Sequence, residues 1–357
     1  MYTILFIETF LYVCGNSAIL LNNIHSIYGK STFLHFSEGL VHIVYIDYLK
    51  LASSYENNCS VNDVTDVQIE SMLDMMAQNY DGYCFDEFYK KKVFSTWSVN
   101  SFFQSIVENK FVFFDEYWYD NGGLPSILVD YLKTHELNIF EYLDKDKFLK
   151  VSSDDFKNPT ALTTINQNVL MCQTGYLTLR SDLKKSSTVL LGIPNGEIYK
   201  ALNRLLANNI FKGKADVTDD QGKNLLEEGT VDDIINLFNR ALNSVSYDNY
   251  PIVSESSVQN MLKLYLLGAH QEVLSEVHEA KGRADLIVNT DIRRIVFEFK
   301  YAQNESEAKT KLSEAVEQIK SRDYGNILPK KHELLRIAAV FNADPKVRAF
   351  TENQIVP

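Results

Sequence analysis

The 357-residue chain is poor in the residues that staple small folds or build soft-metal centres. Its four cysteines (Cys14, Cys59, Cys84 and Cys172) are scattered without a CxxC pair, which argues against a zinc knuckle or a disulfide framework and fits a reducing cytoplasm. Its seven histidines form no HxH or HxxxH pair, so a histidine-based metal site is not expected. No serine or cysteine stands in a nucleophile-elbow context. No apolar run is long enough to span a bilayer. The opening MYTILFIETFLYVCG contains Glu8, lacks a basic leader and reads as a buried strand, so no membrane partner is expected. Internal repeats and low-complexity tracts are absent too.

Positive charge is also scarce: 35 Lys+Arg against 47 Asp+Glu give a formal charge of -12. That balance normally argues against nucleic-acid binding, because phosphate contacts come from lysine and arginine. Its distribution changes the reading. Residues 251–357 hold 15 bases and 15 acids, leaving 20 against 32 in the first 250 residues. The C-terminal third is neutral, and the acidic remainder points to a protein partner.

With 45% hydrophobic residues the chain has enough for sizeable cores, and its length suits two or three compact units. We expect them at 1–150, 151–247 and 248–357. Residues 1–50 read as strand-rich α/β material, with apolar runs at 4–12 and 41–48. The tetrapeptide GKST at 29–32 lacks the earlier glycine of a phosphate-binding loop, since Ile24 stands there, and reads as a loop coincidence. In VQIESMLDMMAQNY the residues Ile69, Met72, Leu73 and Met76 fall on one helical face. A helix capped by Ser95 or Thr96 follows, and PSILVDYL begins another at Pro125. GYLTLRSD and STVLLGI form a hairpin, and Pro194-Asn195-Gly196 introduces a helix. The polar segment 213–230 reads as a flexible connection, leading to a short helix at 231–242.

The last third has a clearer order. SESSVQNMLKLYLLG is a helix with Val258, Met261, Leu262 and Leu266 in phase and Gly268 as its stop. The strands EVLSEVHEA and ADLIVNT come next, then IRRIVFEFK, in which Ile295, Phe297 and Phe299 share one face and Val296, Glu298 and Lys300 the other. A helix over 305–322 and the apolar strand LLRIAAVF complete a helix, three strands, helix, strand sequence.

Asp285 and Glu298 on neighbouring strands can converge on a hard divalent cation, with Lys300 projecting to the same side. A cation would offset the cost of burying two carboxylates. Such a trio suits phosphodiester hydrolysis, where the metal stabilises phosphate charge and metal plus lysine produce and orient hydroxide. Alone, an ExK tripeptide on an edge strand simply faces solvent; the upstream aspartate and the element order give it weight.

These residues resemble the PD-(D/E)xK nuclease superfamily, with Asp285 as first acid and Glu298-Phe299-Lys300 as ExK. Ala284 replaces the signature proline. The resemblance implies a restriction-endonuclease-like core, Mg or Mn as cofactor held by Asp285, Glu298 and the Phe299 carbonyl, and nucleic acid, DNA foremost, as partner. It also implies supporting roles for Glu255, Glu276, Gln318 and Tyr324. More narrowly, MAQNYDGYCFD, VFSTWSVNSFF, QTGYLTL, LLGIPNGEI and GRADL…VFEFK resemble a bacterial and archaeal group that fuses an AAA-ATPase-like region to this nuclease domain. That implies an ATPase-like remnant at 1–150, a hairpin and helical connection at 151–247 and the nuclease-like domain at 248–357, with the nucleotide-binding part preceding residue 1. The alternative is a catalytically silent binding or regulatory module on the same fold.

Overall fold

The structure, a computed structural model, describes residues 38–120, 126–135, 137–157, 161–183, 185–211, 220–269, 271–279, 282–322 and 333–357. The strand expected at 4–12 and the GKST tetrapeptide lie outside these. The described chain divides into two units: residues up to Leu137 with Asp144–Ala201, and Asn138–Leu143 with Leu202–Pro357.

In the first unit the run at 41–48, expected as a strand, is helical: α1 (Glu38–Val44) and α2 (Ile46–Glu56). Val41, Tyr45, Leu49 and Ala52 are the buried positions, and their spacing of four, four and three marks a helical stripe. Two further helices complete this core. α3 (Asp66–Tyr80) starts at a Thr65/Gln68 capping box and buries Ile69, Met72, Leu73 and Met76, as expected. α4 (Thr96–Asn109) is capped by Ser95 and buries Phe102 and Phe103. Ring contacts tie the helices together: Tyr45 stacks on Phe103 at 4.9 Å and Phe102 on Phe114 at 5.0 Å. Each fully buried residue of this size contributes about 1.5–3 kcal/mol.

The short helices α5 (Tyr117–Asp120), α6 (Ser126–Leu132), α7 (Ser153–Lys157) and α8 (Gln167–Gln173) follow. The expected hairpin is present as β2 (Thr178–Leu179) and β3 (Thr188–Gly192), with β1 (Leu149–Ser152) on the other side of β3. Two of the short motifs noted above are bound to one another. Gly82 has φ +98°, and a side chain there would come within 2.2 Å of the Pro194 carbonyl oxygen. Asn195 donates its side-chain amide to the Asp81 carbonyl at 2.8 Å and accepts from the Ile198 N–H at 3.0 Å, opening α9 (Gly196–Ile210).

The second unit contains α10 (Asp220–Glu228), so the segment read as a flexible connection is partly helical. α11 (Val231–Ser244) starts at a Thr230/Asp233 capping box. Then come α12 (Glu255–Gly268), β4 (Glu272–Glu279), β5 (Gly282–Asn289), β6 (Arg293–Ala302), α13 (Glu305–Arg322) and β7 (Glu333–Asn342), the expected order, followed by an unanticipated β8 (Ala349–Ile355). The strands form one sheet in the order β4-β5-β6-β7-β8. Only β6 and β7 are parallel, and α13 supplies the crossover that a parallel pair requires. The fold is thus mixed α/β, with a mainly helical N-terminal region and a C-terminal sheet packed by helices.

Gly268, expected as the stop of this helix, is the last residue of α12, and its missing side chain permits close packing: a Cβ there would lie 2.3 Å from that of Ala207. On β6, Ile295 through Phe299 are all fully buried, on both faces of the strand.

Candidate active site

β6 is clamped from both sides. On one side Phe297 and Phe299 stack at 5.5 Å, with Phe238 5.3 Å from the first ring and Phe350 5.5 Å from the second. On the alternate positions Val296 packs with Ala315 and Ile319 of α13, and Ala302 with Ala308. Leu312 packs against both clusters. Glu298 and Lys300 occupy the two alternate positions between these apolar clusters, which explains how a strand otherwise fully packed carries two charged groups.

The described β5–β6 ladder runs from Asn289 opposite Arg294 to Leu286 opposite Phe297. One step further stand Asp285 and Glu298. There a side chain takes over from the backbone: the Phe299 N–H donates to Asp285 Oδ2 at 2.8 Å. Lys300 turns back over its neighbours, with Nζ 2.7 Å from Glu298 Oε1 and 3.1 Å from the Phe299 carbonyl oxygen. Glu255, in the first turn of α12, brings Oε1 to 3.5 Å from the same ammonium group. The Glu298 side chain is 0% exposed, and its Oε2 has no hydrogen-bond partner among the described residues. An orphaned buried carboxylate oxygen carries a desolvation cost unless something binds it.

The electrostatics follow from this crowding. Burial, reinforced by the neighbouring Asp285 charge, pushes the Glu298 carboxyl up to about 7, against the opposing pull of Lys300. Burial also raises Asp285, opposed by the Phe299 N–H. Lys300 would be lowered by burial, but its bond to Glu298 and the surrounding carboxylates outweigh that and hold it above the usual lysine value. It is an ammonium ion at neutral pH.

Asp285, Glu298, Lys300 and Glu255 are therefore brought together. The Phe299 carbonyl, expected as a metal ligand, is bonded to Lys300. Glu276 falls beside Asp285 in register, between the pairs Ser275 with Leu286 and Val277 with Ala284, but its side chain lies outside the described residues. Tyr324 lies outside them as well. Gln318 is half-buried on α13 and, among the described residues, makes no hydrogen bond to Asp285, Glu298 or Lys300; its carbonyl accepts from the Ser321 hydroxyl at 3.1 Å.

Residues 253–351, which contain Glu255, Asp285, Glu298 and Lys300, match the family model of the PD-(D/E)XK nuclease superfamily. This segment is a PD-(D/E)XK nuclease superfamily domain. No curated protein matches the chain. Nothing found supports the expected kinship with an ATPase-related group.

PD-(D/E)XK nucleases typically use a divalent metal ion. Among the described residues no group of three or more His, Cys, Asp or Glu is arranged to hold one. Two adjacent carboxylates are present, however, one with an unpartnered buried oxygen. Such hard oxygen donors suit Mg2+, which binds through one or two carboxylates and keeps several waters. The residues present fit the ion. Among the described residues, no helix is long and apolar enough to cross a membrane.

Proposed function

We propose that this domain hydrolyses phosphodiester bonds in DNA with Mg2+ or Mn2+, through Asp285, Glu298 and Lys300. The observation that carries the reading is the Glu298 side chain, fully buried, with one oxygen on Lys300 and the other without a partner among the described residues, beside a second carboxylate. Asp285 and Glu298 Oε2 would hold the cation, which supplies charge stabilisation at the phosphate and acidifies a bound water. Lys300 enters as an ammonium ion, so it acts as a donor and not as a base: Nζ orients the attacking oxygen and offsets charge on the phosphate. The water oxygen bonds to phosphorus as the opposite P–O bond breaks; the water's proton passes to solvent, the displaced oxygen takes up a proton from solvent, and the β6 packing holds the ExK groups in place meanwhile.

A second reading, a silent nuclease-fold module that binds a protein partner through the acidic first 250 residues, draws on one feature. Lys300 already covers Glu298 Oε1 and the Phe299 carbonyl. Incubation of the purified chain with supercoiled plasmid, single-stranded DNA and RNA separates the two. Mg2+- or Mn2+-dependent cleavage that chelator stops and Glu298→Gln abolishes supports the enzyme. Cleavage retained by Glu298→Gln, or absent with every substrate and both ions, rejects it.

A further inference from the structure

We propose that the loop joining α3 to α4 is a docking surface for single-stranded nucleic acid, with bases stacking on Phe85 and Phe88 and phosphates meeting Lys90, Lys91 and Lys92. These are the only three consecutive Lys or Arg residues in the sequence, and they stand in its acidic part. All three are exposed, and among the described residues none forms a salt bridge. Phe85 and Phe88, just before them, are 36% and 42% exposed.

The surface is already shaped, which lowers the ordering cost of binding. Tyr83 and Val93 exchange backbone hydrogen bonds at 3.3 and 2.8 Å and close the base of the loop. The Cys84 N–H donates to the Thr178 hydroxyl at 2.8 Å, and the Leu183 N–H to the Glu87 carbonyl at 2.9 Å. Asp86 holds the tip: Oδ1 accepts from the Phe88 N–H and Oδ2 from the Lys90 N–H, each at 3.0 Å. Tyr89 turns the chain there at φ +54°. Asp86 thus spends both carboxylate oxygens on the loop's own N–H groups, and within residues 84–92 Glu87 is the one exposed acid beside three lysines. The rings are oriented as well. Phe85 lies 5.9 Å from the buried Tyr83 ring with 6° between their planes. Lys90 Nζ stands 5.3 Å from the Phe88 centroid, and Lys92 Nζ 5.9 Å from that of Tyr89. A single strand suits this pairing, because every nucleotide offers a base face for a ring and a phosphate for an ammonium group. A duplex hides its base faces, and a glutamate-rich protein segment would answer the lysines but leave the rings uncovered.

The test is fluorescence anisotropy of a labelled oligodeoxythymidine of about 16 nucleotides with the full chain, in chelator so that no cleavage intervenes. The wild type is compared with Phe88→Ala and with the triple variant Lys90→Ala/Lys91→Ala/Lys92→Ala across a salt series. The wild type should bind, and Phe88→Ala should bind about 5–100-fold more weakly. The triple variant should bind more weakly too, with a slope of log affinity against log salt shallower by about 2, because each phosphate contact on a single strand contributes ~0.7. That slope counts phosphate contacts and does not respond to a loss of stability. The triple variant changes exposed side chains alone, so it decides the matter even where Phe88→Ala loses its fold. No binding by the wild type, or an unchanged salt slope in the triple variant, overturns the proposal. So does displacement of the oligonucleotide by polyglutamate together with wild-type affinity in Phe88→Ala, which would assign the loop to acidic protein segments. No divalent cation is present in the measurement, so its failure would leave the cation-site reading untouched.

Discussion

Two buried glutamates, one in each unit, carry opposite lessons. Glu197 in the first unit is 1% exposed, and both its oxygens are satisfied by neutral donors: the Ser98 hydroxyl at 2.6 Å and the Trp118 N–H at 2.8 Å. Glu298 is 0% exposed and receives one cationic donor, with its second oxygen unpartnered among the described residues. Burial raises both, Glu197 to about 8 and Glu298 to about 7. A perturbed carboxyl therefore does not by itself identify a reactive site. The partners decide: a closed set of neutral donors ties α4, α5 and α9 together, whereas an orphaned oxygen beside another acid and a lysine leaves coordination to be completed.

Substitutions can break or sharpen this contrast. The largest expected effect is on activity. Glu298→Gln should lower cation-dependent cleavage by at least about 10²–10³-fold, while chelator-treated protein unfolds within about 1 kcal/mol of wild type, because the amide removes a charge beside Asp285. Equal loss of fold and activity in that variant would make Glu298 a structural residue like Glu197. Glu197→Ala should do the reverse, costing about 2–4 kcal/mol in denaturant unfolding as the Ser98 and Trp118 donors are stranded.

Next comes Gly82→Ala. Its Cβ would meet the Pro194 carbonyl oxygen at 2.2 Å from a backbone with φ +98°, so a loss of about 2–3 kcal/mol is expected, and an unchanged midpoint would refute the close junction. The remaining effect is a pH slope. Glu197 rises from its ordinary value of 4.5 to about 8 on folding, so its contribution is full below about pH 4.5 and is lost as pH climbs through about 8. Stability of the wild type should fall relative to Glu197→Gln across that window. Parallel pH curves for the two would contradict the assignment.

Much of the C-terminal unit was legible in the sequence because its signals are local. The apolar stripes of α12 and α13, and the upstream aspartate with ExK, point to one arrangement without knowledge of distant contacts. What stayed hidden depends on long-range partners. Nothing near Glu197 announces that Ser98 and Trp118, far back in the chain, will enclose it; a glutamate after Asn195-Gly196 looks like an ordinary first helical turn. β8 offers AFTENQI, mostly polar, and becomes a strand by pairing with β7. The run at 41–48 was too short to separate a period of two from one of 3.6, and only burial of Leu49 and Ala52 beyond it resolves the helix.

Joint binding of one divalent cation by Glu298 and Asp285 is tested by anomalous diffraction from a crystal of the chain soaked in Mn2+. One strong peak is expected within coordinating distance of Glu298 Oε2 and the Asp285 carboxylate, absent from Glu298→Gln crystals. A wild-type map without density between those two side chains, or with the peak unaltered in the variant, would contradict it.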